Sequence, residues 1–279
     1  MKVVTIATES NKHLERLFNS AKHFDIPVIV LGKGKVYRNH NDKTAFLLEF
    51  LDDIDSSETV LYVDGFDCVF LRDLEYIERQ FKTFNHPFVI STEQNFNCGS
   101  SLLQKLFYYF KYPAGKKPYR FLNAGSWIAK ADYARSILEK VLVENGDDQD
   151  LLNKYLALNH DSLSLDYRHE IFTCTAGRSG LETQDYEIED GMIKNQITDS
   201  YPAIFHAAGK NFIGLSEIIK FLPYLKNELV DDPLVRKNYA YSKITNYLTA
   251  KTTKDNFLFH LLIKLFLFVV GILSIIFLI

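Results

Sequence analysis

Through the first ninety residues, short β-branched apolar runs alternate with amphipathic helical stretches. That alternation confines the chain to an α/β fold, with a mostly parallel sheet covered by helices on both faces. Val3–Thr8 predicts a first strand. Asn11–Phe24 places Leu14, Leu17, Phe18 and Ala21 at helical spacing. Ile26–Leu31 predicts a second strand and Lys43–Leu51 a second helix. Thr59–Val63 predicts a third strand running into Asp64, Leu74–Phe84 a third helix, and Pro87–Ser91 a fourth strand.

The second half is less regular. Gly99–Tyr112 is aromatic-rich and predicts a helix or lid, and Phe121–Lys130 a loop leading into a strand. Helices are expected over Ala131–Glu144 and Asp147–Leu156, the latter opening with acids that suit the positive end of a helix dipole. Leu163–Tyr167, Glu170–Cys174 and Ala203–Phe205 predict short strands, the last ending at His206.

Val63-Asp64-Gly65-Phe66-Asp67 is the sharpest local feature. Sites in parallel α/β sheets lie beyond the carboxyl ends of strands. Two carboxylates three residues apart at such an end offer hard oxygen ligands for Mg²⁺ or Mn²⁺. They serve equally well as turn or capping aspartates. His206 ends a second strand, and Ala-Ala-Gly-Lys follows it. A second constellation joins Asn123 and Gly125 to Gly146-Asp147-Asp148-Gln149-Asp150. Three acids in four residues repel unless solvated, metal-paired or set at a helix start. One reading is a carboxylate at a reacting sugar carbon or acceptor hydroxyl; the other is an N-cap with solvated acids.

Some classes are excluded. A net charge of −3 leaves no electrostatic footprint for nucleic acid. Three cysteines give neither a disulfide framework nor metal-ligand spacing. No complete phosphate loop or dinucleotide fingerprint occurs.

Taken in order, TIAT, VDGFD, STE, RFLNAGSWIA, DDQD and FHAAGKN over about residues 3–212 resemble the glycosyltransferase domain of lysyl hydroxylases and related collagen-modifying proteins. The resemblance implies a GT-A-like nucleotide-sugar-binding fold with a divalent metal at the Asp-rich motif. It implies that Asp64, Asp67 and His206 hold Mn²⁺, or Mg²⁺, against a UDP diphosphate. It also implies Thr8 near the uridine, Lys43 near the nucleotide-sugar, Asn123 lining the donor sugar, and Asp147 with Asp148 at the reacting centre. The family's Trp gate over the sugar is absent from Glu93–Cys98, which makes Phe96 the expected substitute. The implied reaction moves a hexose, galactose or glucose, from a UDP-sugar to a hydroxyl acceptor on a protein, glycan or lipid. Two other readings are a metal-dependent phosphoryl-transfer enzyme with Asp64 as nucleophile, and an inactive sugar-binding protein.

The tail predicts a membrane anchor. Phe257–Ile279 has no charged residue after Lys264 and is long enough, as a helix, to span a hydrocarbon core. Lys243, Lys251 and Lys254 precede it, and no signal-peptide core opens the chain, so the enzyme domain is expected on the cytoplasmic side. The expected organisation is a glycosyltransferase domain over 1–214, a helical extension and linker over 215–256, and a transmembrane helix over 257–279.

Overall fold

A computed structural model describes residues 1–99, 101–114, 119–142, 146–175, 185–208 and 212–225, together with positions 261, 262, 265, 266 and 269. The central sheet has six strands: β1 (Lys2–Ile6), β2 (Val28–Leu31), β3 (Thr59–Val63), β5 (Phe88–Glu93), β6 (Phe121–Lys130) and β7 (Ser164–Leu165). Their order is β2-β1-β3-β6-β5-β7. β1 pairs in parallel with β2 and β3, and β5 with β7, whereas β6 runs antiparallel between β3 and β5. Three further strands, β4 (Cys68–Phe70), β8 (Phe172–Cys174) and β11 (Ile204–His206), form a second sheet in the order β4-β11-β8. β9 (Tyr186–Glu189) and β10 (Met192–Asn195) make a hairpin.

Helices cover both faces because each carries one apolar stripe. On one side α2 (His40–Asp52), α5 (Ala131–Leu142) and α6 (Asp148–Leu158) bring Leu47, Leu51, Ile137, Leu138, Leu151 and Leu156 against Val60, Tyr62, Ile90 and Trp127. On the other, α1 (Lys12–His23) and α3 (Leu74–Thr83) bring Leu14, Leu17 and Ile77 against Leu61, Val63, Val89 and Ile128. Asn11 caps α1, accepting from the backbone N–H of His13 and Leu14. α4 (Leu102–Lys111) occupies the aromatic-rich stretch. α7 (Phe212–Ile219) crosses the expected boundary at residue 214, and its Leu215, Ile218 and Ile219 pack with Val69 and Phe205.

Three expectations change. Phe121–Lys130 is one continuous ten-residue strand, because a central strand finds ladder partners on both edges and is buried on both faces. Phe96 is 5% exposed and packs edge-on against Tyr109 and Tyr112, so it belongs to the core and does not gate a sugar site. The transmembrane helix over 257–279, and with it the single-pass membrane localisation, is not supported. A span needs about 20 consecutive apolar helical residues, and among the described residues no helix is long and apolar enough to cross a membrane. Most of that segment, and all of 226–260, lies outside the described residues.

His169, fully buried, ties the β7–β8 connection to the hairpin. Its Nδ1 lies 2.8 Å from Thr173 Oγ1 and 3.1 Å from Asn195 Nδ2, and its ring lies 3.7 Å from that of Tyr119. Burial lowers its pKa from 6.5 to about 3. The folded protein therefore keeps the ring neutral, while the unfolded chain protonates it below the ordinary value. The stability that His169 contributes is fully present above about pH 6.5 and is lost towards pH 3, by up to about 1.4 kcal/mol per pH unit. Glu93 and Asp166, raised by burial to about 7 and about 6, act in the opposite sense in both proteins, so the parent's urea midpoint should fall relative to that of His169→Gln as pH drops through that window. A profile that the substitution leaves unchanged would refute the assignment.

Candidate active site

The strands of the main sheet end where its charged groups gather, at the carboxyl edge of β1, β3 and β5. Beyond β3 the Asp64–Asp67 turn is pinned from four sides. Asp64 N donates to Gly125 O (2.8 Å), Arg16 Nη2 to Phe66 O (2.9 Å), and Ala207 N to Asp67 O (2.8 Å). Thr5 Oγ1 donates to Val63 O at 2.7 Å. Gly65 crosses directly over β1: a Cβ there would lie 2.9 Å from Thr5 Oγ1 and 3.1 Å from Ile6 O.

β4 follows the turn and pairs with β11, so that Cys68, His206 and Cys174 stand side by side across three strands. His206 is buried. Its Nε2 makes no hydrogen bond of good geometry, although Asp67 Oδ1 stands 3.3 Å away and Asp64 Oδ2 3.7 Å away. A buried nitrogen lone of partners between two carboxylates suits a divalent cation, with N/O donors of the kind Mn²⁺ accepts. Asp64, Asp67 and His206 therefore converge, and the ligand atoms that lie within 4.8 Å of one another are those of Asp67, Cys68 and His206.

β6 supplies the facing wall through a break in its ladder with β5. Ile90 pairs with Trp127 but Thr92 pairs with Leu122, so Asn123–Ser126 stand opposite Ser91 alone. This break carries Asn123 and Gly125 to the site. A Cβ on Gly125 would lie 2.1 Å from His206 Cε1 and 2.8 Å from Asp64 Oδ2, so glycine is required by close approach.

Lys43, from α2, spans two carboxylates: its Nζ lies 2.9 Å from Asp64 Oδ1 and 2.8 Å from Asp148 Oδ2. Tyr62 donates its hydroxyl to Asp64 Oδ1. Burial opposes the Lys43 charge, but Asp64, Tyr62 and Asp148 outweigh it, and the ammonium persists well above the usual lysine range. Burial also works against ionised Asp64; Lys43 and His206 overcome it and hold this carboxyl below its usual value. For Asp148 burial prevails and its value is raised.

Asp147 caps α6, its Oδ1 accepting from the backbone N–H of Gln149 and Asp150, while its Oδ2 lies 3.6 Å from His40 Nε2. The capping reading of this residue is thus realised, and it also lines the cavity rim. Asn123 lines the same cavity with its amide fully engaged by protein groups. Thr8 lines an adjoining cavity of about 510 Å³ with Tyr37 and Phe66, and Asp64 and Asp67 border it too. The first cavity measures about 390 Å³. Both share the wall formed by His40, Lys43, Asp64 and Asp67.

Glu93 is the residue that sequence reasoning missed. It ends β5, is 1% exposed and accepts from the side-chain amides of Asn97 (2.6 Å), Asn123 (2.7 Å) and Gln149 (3.3 Å). Burial raises its carboxyl to about 7. The signal was available, since Glu93 is a carboxylate at a strand's carboxyl end, as Asp64 is. Tyr37, Phe66 and His40, which border the cavities, carried no comparable pattern.

A family model described as the PLOD GT domain matches residues 1–230. The chain is 27% identical over 236 residues to procollagen-lysine,2-oxoglutarate 5-dioxygenase 2 of Mus musculus, covering 79% of this chain and 31% of that protein. It is 28% identical over 241 residues to the multifunctional procollagen lysine hydroxylase and glycosyltransferase of Caenorhabditis elegans, covering 79% and 32%. The chain thus spans about a third of the length of the curated relatives it matches. Among solved structures, a glycosyltransferase involved in glycosylation of the major capsid of PBCV-1 aligns with a TM-score of 0.44 at 10% identity, over 75% of this chain and 93% of that one.

Lys43→Met should leave Asp64 and Asp148 buried without their shared counter-charge. Breaking a buried ion pair from one side costs about 3–5 kcal/mol. Chemical denaturation at neutral pH should show a loss of that order, diminishing as the medium is acidified and the carboxylates protonate. A loss below about 1 kcal/mol at neutral pH would show that the triad is solvated.

Proposed function

The chain belongs to the PLOD GT-domain family, and on that premise we propose that it is a metal-dependent glycosyltransferase that moves a hexose from a UDP-sugar to a hydroxyl acceptor. The observation that carries the reading is the pair of adjoining cavities with Lys43, Asp64 and Asp67 in their common wall. Thr8, Tyr37 and Phe66 offer an apolar and aromatic recess suited to a nucleoside. The His206 and Asp148 side offers the polar chamber a sugar needs. The diphosphate then lies across the shared wall, where two carboxylates tolerate an anion only with a cation between them.

Asp64, Asp67 and His206 would hold that cation, for which Mn²⁺ is the proposed species. When bound it neutralises the diphosphate and stabilises it as a leaving group. Asp64 is kept ionised by Lys43 and by the Tyr62 hydroxyl, and Lys43 adds positive charge beside the leaving diphosphate. Asp148, anchored by the same ammonium, presents its carboxylate to the sugar chamber. There it stabilises positive charge developing at the reacting carbon or takes the acceptor proton. Asp147 sets Asp148 in place by capping the helix that carries it. The named relatives act on procollagen lysine, so the proposed acceptor is a hydroxyl on a protein side chain. Asp64 is engaged by Lys43 and Tyr62, which disfavours it as a phosphoryl-accepting nucleophile.

Two measurements test the reading. Isothermal titration should show UDP binding that strengthens with Mn²⁺, and Asp64→Ala, Asp67→Ala and His206→Ala should each abolish the enhancement; independence of UDP and Mn²⁺ would refute the donor and metal assignments together. Asp148→Asn should lower UDP release by a factor of roughly 10² or more with nucleotide affinity nearly unchanged. Parallel losses of affinity and turnover would move Asp148 into donor binding.

A further inference from the structure

The imidazole of His206 has two nitrogens, and Nε2 is the one that faces Asp67 Oδ1 at 3.3 Å and Asp64 Oδ2 at 3.7 Å. Which nitrogen carries the proton is decided elsewhere. Nδ1 lies 3.0 Å from Asn123 Oδ1. A carbonyl oxygen only accepts, so that contact requires Nδ1–H and leaves the lone pair of the neutral ring on Nε2.

The orientation of the Asn123 amide is therefore critical. Turned over, it would present N–H₂ to Nδ1 and favour the opposite tautomer. Two groups prevent this. Gly125 N–H donates to Asn123 Oδ1 at 3.0 Å, and Asn123 Nδ2 donates to Glu93 Oε2 at 2.7 Å. Above about pH 7, the value to which burial raises it, this carboxyl is ionised and has no proton to give, so a nitrogen faces it. Its other oxygen is held by Asn97 Nδ2 at 2.6 Å and Gln149 Nε2 at 3.3 Å. Three amide donors converge on Glu93 and fix it.

We propose that Glu93 is a positioning residue for the metal site: through Asn123 it selects the His206 tautomer whose Nε2 lone pair is available to a divalent cation. Glu93 lines the same cavity as Asp64, Asp67 and His206, but it reaches the His206 ring through the Asn123 amide. It acts at one remove, in the manner of outer carboxylates that orient metal-bound imidazoles. The inference rests on the proposed role of His206 as a metal ligand. It adds that the ligand's competence is set by a carboxylate on a different sheet.

The test uses the whole chain and Mn²⁺, with free Mn²⁺ followed by electron paramagnetic resonance. Glu93→Ala should weaken Mn²⁺ binding roughly 10- to 100-fold. The exchange Glu93→Gln with Asn123→Asp should restore it to within a few-fold. An aspartate at 123 can only accept from Nδ1–H, and a glutamine at 93 can donate to it, so no anion at 93 is then needed. Equal affinity of Glu93→Ala and the parent, or a double variant no better than Glu93→Ala, would overturn the proposal. A second readout needs no variant and no metal. With histidine labelled at both ring nitrogens, NMR should show a proton on His206 Nδ1, donated to Asn123, and an Nδ1 that carries none would overturn the relay. If the parent binds no Mn²⁺ yet shows the Nδ1 proton, the metal assignment fails and the relay stands.

Discussion

One buried ammonium holds the site together. Lys43 reaches from α2 to Asp64 beyond β3 and to Asp148 at the start of α6, so a single charge joins the sheet to two helices on one face. Neither carboxylate is stable in that setting alone, because transfer from water costs several kcal/mol per ion. The lysine's own burial is compensated only because both are present. The three groups therefore specify one another's positions, and two of them, Lys43 and Asp64, stand in the wall that the two cavities share.

Beyond that wall the polar groups are arranged so that few are left without a partner. Glu93, Asn97, Asn123, Gln149 and the Gly125 N–H form a closed set of donors and acceptors at the end of strands otherwise packed by apolar side chains. Half-satisfied networks are costly in a low-dielectric interior. Among the described residues His206 Nε2 makes no hydrogen bond, and neither do the nearby hydroxyls of Ser91 and Ser126. His206 Nε2 differs from the serine hydroxyls in facing two carboxylates, and it is there that the proposed cation would complete the set.

Much of this was legible from the residues. The alternation of strands and helices placed β1, α1, β3 and α3 to within a residue or two, because each carries an unbroken apolar period. Asp64 and His206 were legible as strand-end residues because each directly follows an apolar run, and Asp67 by its spacing from Asp64. Other parts left no local signal. β4 is three residues long, and its strand character depends on pairing with β11, more than a hundred residues away. The β5–β6 break that brings Asn123 and Gly125 forward is a property of two strands in register, visible in neither alone. Glu93 was hidden for a related reason: its importance comes from three amides contributed by separate elements. The apolar tail shows the converse, a strong local pattern with no long apolar helix among the described residues to answer it.

Gly125 shows how closely backbone irregularity and site chemistry are coupled here. A regular β6 would continue its ladder with β5 through residues 123–126 and direct their side chains alternately to the two faces. The break releases that segment, and its consequence is contact: the His206 ring and the Asp64 carboxylate lie against an α-carbon that has no room for a methyl group. The same peptide donates its N–H to Asn123 and its C=O accepts from Asp64 N. One residue thus sets the height of the histidine, the orientation of the amide behind it and the backbone of the aspartate in front. A side chain at this position would disturb all three at once, whereas most core substitutions disturb packing alone.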